Sequence, residues 1–205
     1  LSAEINLSPQ GPSLSTVYVG GGTPSLLRPD QLAALLLQLR GRFGFQDGAE
    51  STLEMDPATF ERSDLHALID AGVTRVSLGG QSFDDVRLAA LGRRHRRQDL
   101  LDACHWLQES FQVGELQSWS LDLIRNLPDQ GDREWEEQLE QAVAVQAPHV
   151  SIYDLSVEPG TVFAWREKRG ELVLPEEDAA ADRIAFTTRR LRRAGYCRYE
   201  ISNFA

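Results

Sequence analysis

Five short apolar runs of the chain each end in glycine or polar residues of the types that bind charged small molecules. Three consecutive glycines, Gly20 to Gly22, come after the first run and precede Thr23-Pro24. Glycine lets a ligand approach the bare backbone, whose amide and carbonyl groups can then bond to it directly. The polar residues at or after the ends of the later runs are Glu54, Gln81, Asp122 and Asp154. Their recurrence at successive run ends predicts one shared polar pocket.

Each of these residues has a simpler interpretation when it is taken alone. The glycine run can be a tight turn without a ligand, and Glu54 can be a carboxylate that caps the next helix. A dinucleotide-binding loop is disfavoured because the GxGxxG spacing is absent and Thr23-Pro24 stops a helix from starting on the glycines. The joint occurrence of these residues, and not any one of them, favours the pocket.

The apolar runs alternate with amphipathic segments, which indicates strands that alternate with helices. The expected strands are residues 16–19, 52–55, 75–78, 119–124 and 150–155, with a short last strand at 199–201. The expected helices are residues 29–39, 64–71, 100–109, 134–145 and 179–193, and a capping box at 82–85 opens one more. Residues 158–177 form an irregular insertion in this interpretation. The alternation is typical of an α/β protein with a parallel sheet, either closed as a barrel or open.

Composition and charge narrow the classes of function. The 205 residues carry a formal net charge of −10, which disfavours a nucleic-acid surface because phosphate binding needs clustered Lys and Arg. The sequence has no apolar run as long as a membrane span and no signal-peptide pattern at its first residues, so we expect a cytoplasmic location. Cys104 and Cys197 lie far apart without metal-ligand spacing, so we expect reduced thiols and no metal site.

Several ordered blocks of the sequence carry a family resemblance. The longest is Val-Tyr-Val-Gly-Gly-Gly-Thr-Pro-Ser-Leu-Leu at residues 17–27, and others lie at 72–79, 81–83, 91–95, 120–124, 127–128, 158–161 and 199–205. Together they resemble the HemW-like (oxygen-independent coproporphyrinogen III oxidase-like) branch of the radical S-adenosylmethionine (SAM) proteins. The resemblance covers nearly the whole chain. It implies a partial (β/α) barrel of parallel strands, with SAM lying across the strand ends and bound to a [4Fe–4S] cluster.

The resemblance also implies roles for individual residues. Gly21 and Glu54 match family positions that contact one SAM. Positions that face a second SAM in the related coproporphyrinogen dehydrogenases are matched by Gly22, Thr23, Gln81, Arg93 and Asp122. Arg93 is also suited to pair with a carboxylate of a cofactor or of a porphyrin propionate.

Departures from the family pattern limit what is expected of this chain. The CxxxCxxC sequence that holds the family's cluster is absent, and two separate cysteines cannot replace it. We therefore interpret residues 1–205 as a fragment of the core domain, truncated at both ends and inactive alone. An open sheet edge at residues 16–19 then predicts self-association. Gly80 stands where an apolar residue is usual, and Arg125-Asn126 replace the frequent Tyr-Gly.

Three functions remain open at this point. The resemblance favours a haem-chaperone-like protein that binds haem or porphyrin and delivers haem to apoproteins. The alternatives are an oxygen-independent coproporphyrinogen III oxidase and an inactive barrel fragment. His95 is either a haem ligand or, as we expect, a surface histidine. Four tryptophans could stack on a porphyrin, but their spacing favours core positions.

Overall fold

The computed structural model describes residues 1–205 and contains eight α-helices and six β-strands. The helices are α1 (Ser2–Leu7), α2 (Pro29–Phe43), α3 (Arg62–Asp70), α4 (Asp85–Ala90), α5 (Arg97–Gln112), α6 (Asp132–Ala144), α7 (Val162–Lys168) and α8 (Glu177–Arg193). The strands are β1 (Leu14–Val19), β2 (Phe45–Met55), β3 (Arg75–Gln81), β4 (Ser118–Arg125), β5 (His149–Asp154) and β6 (Asn203–Phe204). Among β1, β2 and β3, and likewise among β4, β5 and β6, strands that follow one another in the chain are paired.

The first of two compact units comprises residues 1–79 and 98–119. Here β1 pairs with β2 and β2 pairs with β3, both in parallel, and Leu53 lies opposite Val76 in the register. Both side chains are fully buried, as is Leu65 of α3. Parallel strands covered by helices bury both faces, and this explains why polar residues of these strands, such as Thr52 and Ser77, are buried as well.

The second unit comprises residues 80–97 and 120–205. In this unit β4 pairs with β5 in parallel, and β5 pairs with the short β6 in the antiparallel sense. Trp135 of α6 is buried, and its indole N–H donates to the hydroxyl of Thr187 on α8 at 2.8 Å. That bond satisfies the one polar atom of a large core side chain, as burial of tryptophan requires.

The alternation of strands and helices predicted from the sequence is confirmed, but three segments differ from their predictions. No strand forms at residues 199–201. The Glu200 carboxylate instead accepts from the Ser202 amide at 3.0 Å and from the Asn203 side chain at 2.9 Å, which turns the chain. These bonds, the backbone bonds first, lower the pKa of Glu200. The strand pairing with β5 is made by Asn203–Phe204.

The expected irregular insertion at residues 158–177 contains helix α7. Thr161 begins this helix, because its hydroxyl accepts from the Ala164 amide at 3.2 Å. The capping box expected at 82–85 is likewise shifted: Asp84 is the capping residue of α4, and its carboxylate accepts from the Arg87 amide at 2.9 Å. Both caps use residue types that favour helix starts. No helix of the structure is long and apolar enough to cross a membrane.

Candidate functional site

The glycine run after β1 is tied to a carboxylate at the end of β2. The Gly21 amide donates to Glu54 Oε2 at 2.9 Å, and the Tyr18 hydroxyl donates to Glu54 Oε1 at 2.9 Å. Parallel pairing of the two strands brings their carboxyl ends together, so residues far apart in sequence meet there. We call Tyr18, Gly20, Gly21, Gly22 and Glu54 the glycine-loop cluster.

The three glycines of this cluster have different structural roles. A Cβ at Gly20 would lie 2.8 Å from Tyr18 Cε1 and 3.0 Å from Glu54 Cδ, so only glycine lets the carboxylate lie where it does. Gly21 and Gly22 have φ values of +87° and +48°, and no other group lies within 4 Å of an added Cβ. These two glycines combine a left-handed backbone with an open face that a ligand can approach. Thr23 is exposed, and its carbonyl accepts from the Leu26 amide at 3.1 Å.

Gln81, the last residue of β3, lies in a tight corner of the second unit. Its φ is +58°, and the Ser82 amide donates to the Gly80 carbonyl at 2.7 Å across it. His95 Nε2 lies 3.1 Å from the same carbonyl. On the other side, Gln138 Oε1 accepts from the Phe83 amide at 2.6 Å and from the Ser82 hydroxyl at 3.2 Å. We call Gly80, Gln81, Ser82, His95 and Gln138 the Gln81 corner.

The side-chain oxygen of Gln81 is buried, with no hydrogen-bond partner inside the protein. A buried amide oxygen without a partner is costly, and such groups are found where a ligand or a water completes the bonding. This property fits a binding role for Gln81.

The other predicted site residues of the second unit are Arg93 and Asp122. Arg93 is half-buried directly after α4, and its amide donates to the Leu88 carbonyl at 2.9 Å. Asp122 is half-buried on β4 and lies opposite Ser151 of β5 in the register. The structure thus places Gly21, Gly22, Thr23 and Glu54 in the first unit and Gln81, Arg93 and Asp122 in the second.

His95 does not lie at the surface as the sequence suggested, because its side chain is fully buried. The arginines around it in the sequence gave the opposite impression. The core interpretation of the tryptophans holds for Trp119 and Trp135, which are buried, whereas Trp165 is 57% exposed. Arg169 packs over the face of Trp165, with its guanidinium carbon 4.4 Å from the ring centroid.

A charged network at the ends of β4 and β5 was not recognised in the sequence. The Arg125 guanidinium donates two bonds of 2.8 Å to the Asp154 carboxylate, which also accepts from the Asn126 amide group at 2.6 Å. Arg183 of α8 donates to Asn126 at 3.3 Å and to Asp132 at 2.7 Å. We call these five residues the arginine network. Arg125 and Arg183 are buried, while Asp154 is 45% exposed in its side chain.

The Arg125-Asn126 departure from the family pattern was the available signal for this network. Asn126 has a φ of +60°, a conformation in which glycine is favoured and asparagine is the most tolerated other residue. Asparagine therefore keeps the backbone turn of the usual glycine while adding a side chain that bridges Asp154 and Arg183.

The cysteines do not form a cluster site. Cys104 is buried in α5, and this burial raises the pKa of its thiol to about 12, which opposes the thiolate form that binds metals. Cys197 is exposed on the second unit. No group of three or more His, Cys, Asp or Glu side chains is placed to hold a metal ion. The residues of this chain therefore do not fit a [4Fe–4S] cluster, which needs several cysteine thiolates close together.

Comparisons with known proteins agree with the resemblance. The model of the radical SAM superfamily matches residues 5–142. The haem chaperone HemW of Synechocystis is 41% identical over 95% of this chain and 46% of its own length, and HemW of Escherichia coli is 39% identical over 96% and 50%. The chain thus spans about half the length of these curated relatives.

A solved structure supports the same fold. The radical SAM enzyme coproporphyrinogen III oxidase (HemN) of Escherichia coli superposes with a TM-score of 0.80 and 27% identity, covering 93% of this chain and 43% of that one. The predicted α/β class, a partial barrel of parallel strands of radical SAM type, is confirmed.

Proposed function

The chain belongs to the radical SAM superfamily. From this premise we propose that it functions as a haem-chaperone-like protein of tetrapyrrole metabolism and binds haem or porphyrin together with SAM. One observation carries the proposal: HemW chaperones from several bacteria are 34–41% identical over at least 93% of this chain, for example 41% over 95% in Synechocystis and 34% over 95% in Bacillus subtilis. Haem-receiving apoproteins are the partners in this proposal, and the location is cytoplasmic.

We assign one SAM contact set to the glycine-loop cluster. Gly21 and Glu54 are assigned to the first SAM. The half-exposed carboxylate of Glu54 can accept from the ribose hydroxyls and the ammonium group of SAM, and the backbone at Gly21 is open to the ligand. Gly22 and Thr23 are assigned to a second SAM. Main-chain groups beside the two left-handed glycines need no side-chain rearrangement to accept a ligand, which supports this assignment.

The remaining contacts of the second SAM are assigned to Gln81, Arg93 and Asp122. The buried, unpartnered Oε1 of Gln81 supports its role, since a ligand donor would satisfy it. Arg93 supplies a guanidinium for a carboxylate of the cofactor or of a porphyrin propionate. SAM bound to a [4Fe–4S] cluster supplies radical chemistry in this superfamily, but the residues of this chain do not hold a cluster, so no reaction step is assigned to it.

A second function has its own support. The likeness to coproporphyrinogen III oxidase, with a TM-score of 0.80 over 93% of the chain, favours an oxidase that decarboxylates coproporphyrinogen III. The identity to this enzyme is 27%, against 39% to HemW of the same organism, so the chaperone is the better-supported function.

The proposal is tested by titrating the protein with SAM in a calorimeter and with haem in a spectrophotometer. Binding of both ligands is expected, and Glu54→Gln should weaken SAM binding about tenfold because a charged acceptor is lost. Asp47→Asn, an exposed change on the same strand, is the matched control and should alter SAM affinity less than twofold.

Two outcomes would count against this function. Failure of the unaltered protein to bind haem would contradict the proposed chaperone function. Binding of coproporphyrinogen III in preference to haem would favour the oxidase instead.

A further inference from the structure

The backbone at Gln81 has a conformation that a glutamine seldom adopts. With a φ of +58° and a hydrogen bond of 2.7 Å from the Ser82 amide to the Gly80 carbonyl, residues 80–82 form a turn of the γ type with Gln81 at its centre. A residue with a side chain stays in such a conformation only where its surroundings fix it. The groups that fix this turn therefore also set the direction of the Gln81 side chain.

His95 is the group that meets the turn from the segment after α4. The carbonyl oxygen of Gly80 can only accept, so His95 Nε2, 3.1 Å away, must carry a proton and donate to it. The imidazole is fully buried, so water does not compete for this bond. The same carbonyl also accepts from the Ser82 amide, so His95 is bonded to an atom that takes part in the turn.

Gln138 of α6 binds the two residues that follow Gln81 in the chain. Its Oε1 accepts from the Phe83 amide and from the Ser82 hydroxyl, and Phe83 and Ser82 are both buried. The residues after the turn are therefore fixed to a helix by this glutamine. His95 fixes the carbonyl before Gln81 to the segment that carries Arg93.

We propose that His95 is a positioning residue that holds Gln81 in its binding conformation and couples it to Arg93, two residues before His95. Its Nε2–H group fixes the position of the Gly80 carbonyl, and the carbonyl fixes the turn through its bond from the Ser82 amide. The turn then fixes the direction of the buried amide oxygen of Gln81. In this arrangement Nε2 of His95 is engaged by the Gly80 carbonyl and is not available to a haem iron. The part that concerns SAM rests on the proposed function.

The structural part is tested without any ligand, by hydrogen exchange of the Ser82 amide in the full chain. His95→Ala should speed exchange of this amide about tenfold, since one buried hydrogen bond is lost. His95→Gln places an amide N–H at a similar distance from the backbone and should restore exchange to within about threefold. His66→Ala, a change at a half-exposed histidine paired with Glu115, is the control and should leave Ser82 unaffected.

The tautomer of His95 gives a second ligand-free readout. Nitrogen NMR of the imidazole should show a proton on Nε2, and a bare Nε2 would overturn the proposal. Unchanged Ser82 exchange in a folded His95→Ala protein would overturn it as well. If His95→Ala does not fold, the tautomer and the His95→Gln exchange rate still decide the question.

The functional part is tested by a double-mutant cycle on SAM affinity. Gln81→Ala and His95→Ala should each weaken SAM binding about tenfold, and the double variant should also show about tenfold, because both remove the same contact. An additive loss of about a hundredfold would show that His95 does not act through Gln81. If the unaltered protein binds no SAM, the proposed function fails, while the exchange and tautomer measurements still judge the positioning role.

Discussion

The glycine-loop cluster and the arginine network both lie at strand ends, but they are built in opposite ways. In the glycine-loop cluster, Glu54 is half-exposed and its bonds go to one amide and one phenol, with open backbone beside it. In the arginine network, Arg125 is only 6% exposed and its charge is matched by Asp154, whose carboxylate also accepts from Asn126. The first region leaves bonding capacity for a ligand, and the second uses most of its capacity internally.

This difference separates binding from stability. A half-exposed carboxylate held by two hydrogen bonds contributes little to folding, so changes near Glu54 should act on ligand affinity. A buried guanidinium depends on its partner, so changes in the arginine network should act on the free energy of unfolding. The Gln81 corner combines both properties, since it is buried but keeps one amide oxygen without a partner.

The largest expected effect comes from Asp154→Ala. Arg125 would stay buried without its carboxylate, and leaving a buried charge without its partner is strongly destabilising. We expect the free energy of unfolding to fall by about 3 kcal/mol, measured by urea denaturation. The matched control is Glu137→Ala, which removes the exposed ion pair of Arg133 and should cost less than about 0.5 kcal/mol. Equal effects of the two changes would erase the contrast between buried and exposed charges.

Gly20→Ala should have an intermediate effect that appears mainly in binding. The new Cβ would meet Tyr18 and Glu54 at 2.8–3.0 Å, so the carboxylate must move away from the Gly21 amide. Because Glu54 is flexible and half-exposed, the cost in stability is about 1 kcal/mol, while SAM affinity should fall about tenfold. Calorimetry measures the affinity, and Gly11→Ala, at an exposed site with open space, serves as the control. A large loss of stability with unchanged affinity would reverse the assignment of this region.

The smallest expected effect is that of Tyr18→Phe, which removes one hydroxyl from Glu54. Tyr18 is 58% exposed, so water can replace the lost bond. The free energy of unfolding should change by less than about 0.5 kcal/mol, and SAM affinity should weaken about two- to threefold. Denaturation and calorimetry on the same sample check both numbers. A tenfold loss of affinity would mean that the phenol itself contacts the ligand.

The sequence predicted the parts of the fold that depend on local patterns. Residues 75–78 and 119–124 were recognisable as short aliphatic segments followed by polar or glycine-rich turns, and each lies inside the observed strand. Residues 199–201 were mistaken for a strand because Tyr and Ile favour strands, whereas the Glu200 side chain turns the chain. Local side-chain bonds of this kind compete with strand pairing and leave little trace in a hydrophobic pattern.

The candidate site was predictable to a lesser extent. Gly21 and Glu54 were assigned together through the family resemblance, and the bond between them is the structural counterpart. Burial of His95 and the partners of Arg125 could not be read from the sequence, because they depend on contacts 15 and 29 residues apart along the chain. The roles of all seven residues in binding SAM remain predictions: Gly21, Gly22, Thr23, Glu54, Gln81, Arg93 and Asp122.

The central claim, that the strand ends of this chain bind SAM, is tested most directly by NMR of the isotope-labelled protein during a SAM titration. The account predicts saturable shifts of the Gly21 and Gly22 amides and of the Gln81 side-chain amide, with the Gly11 amide unchanged. Saturable SAM binding without shifts at these residues, or no binding at all, would contradict it.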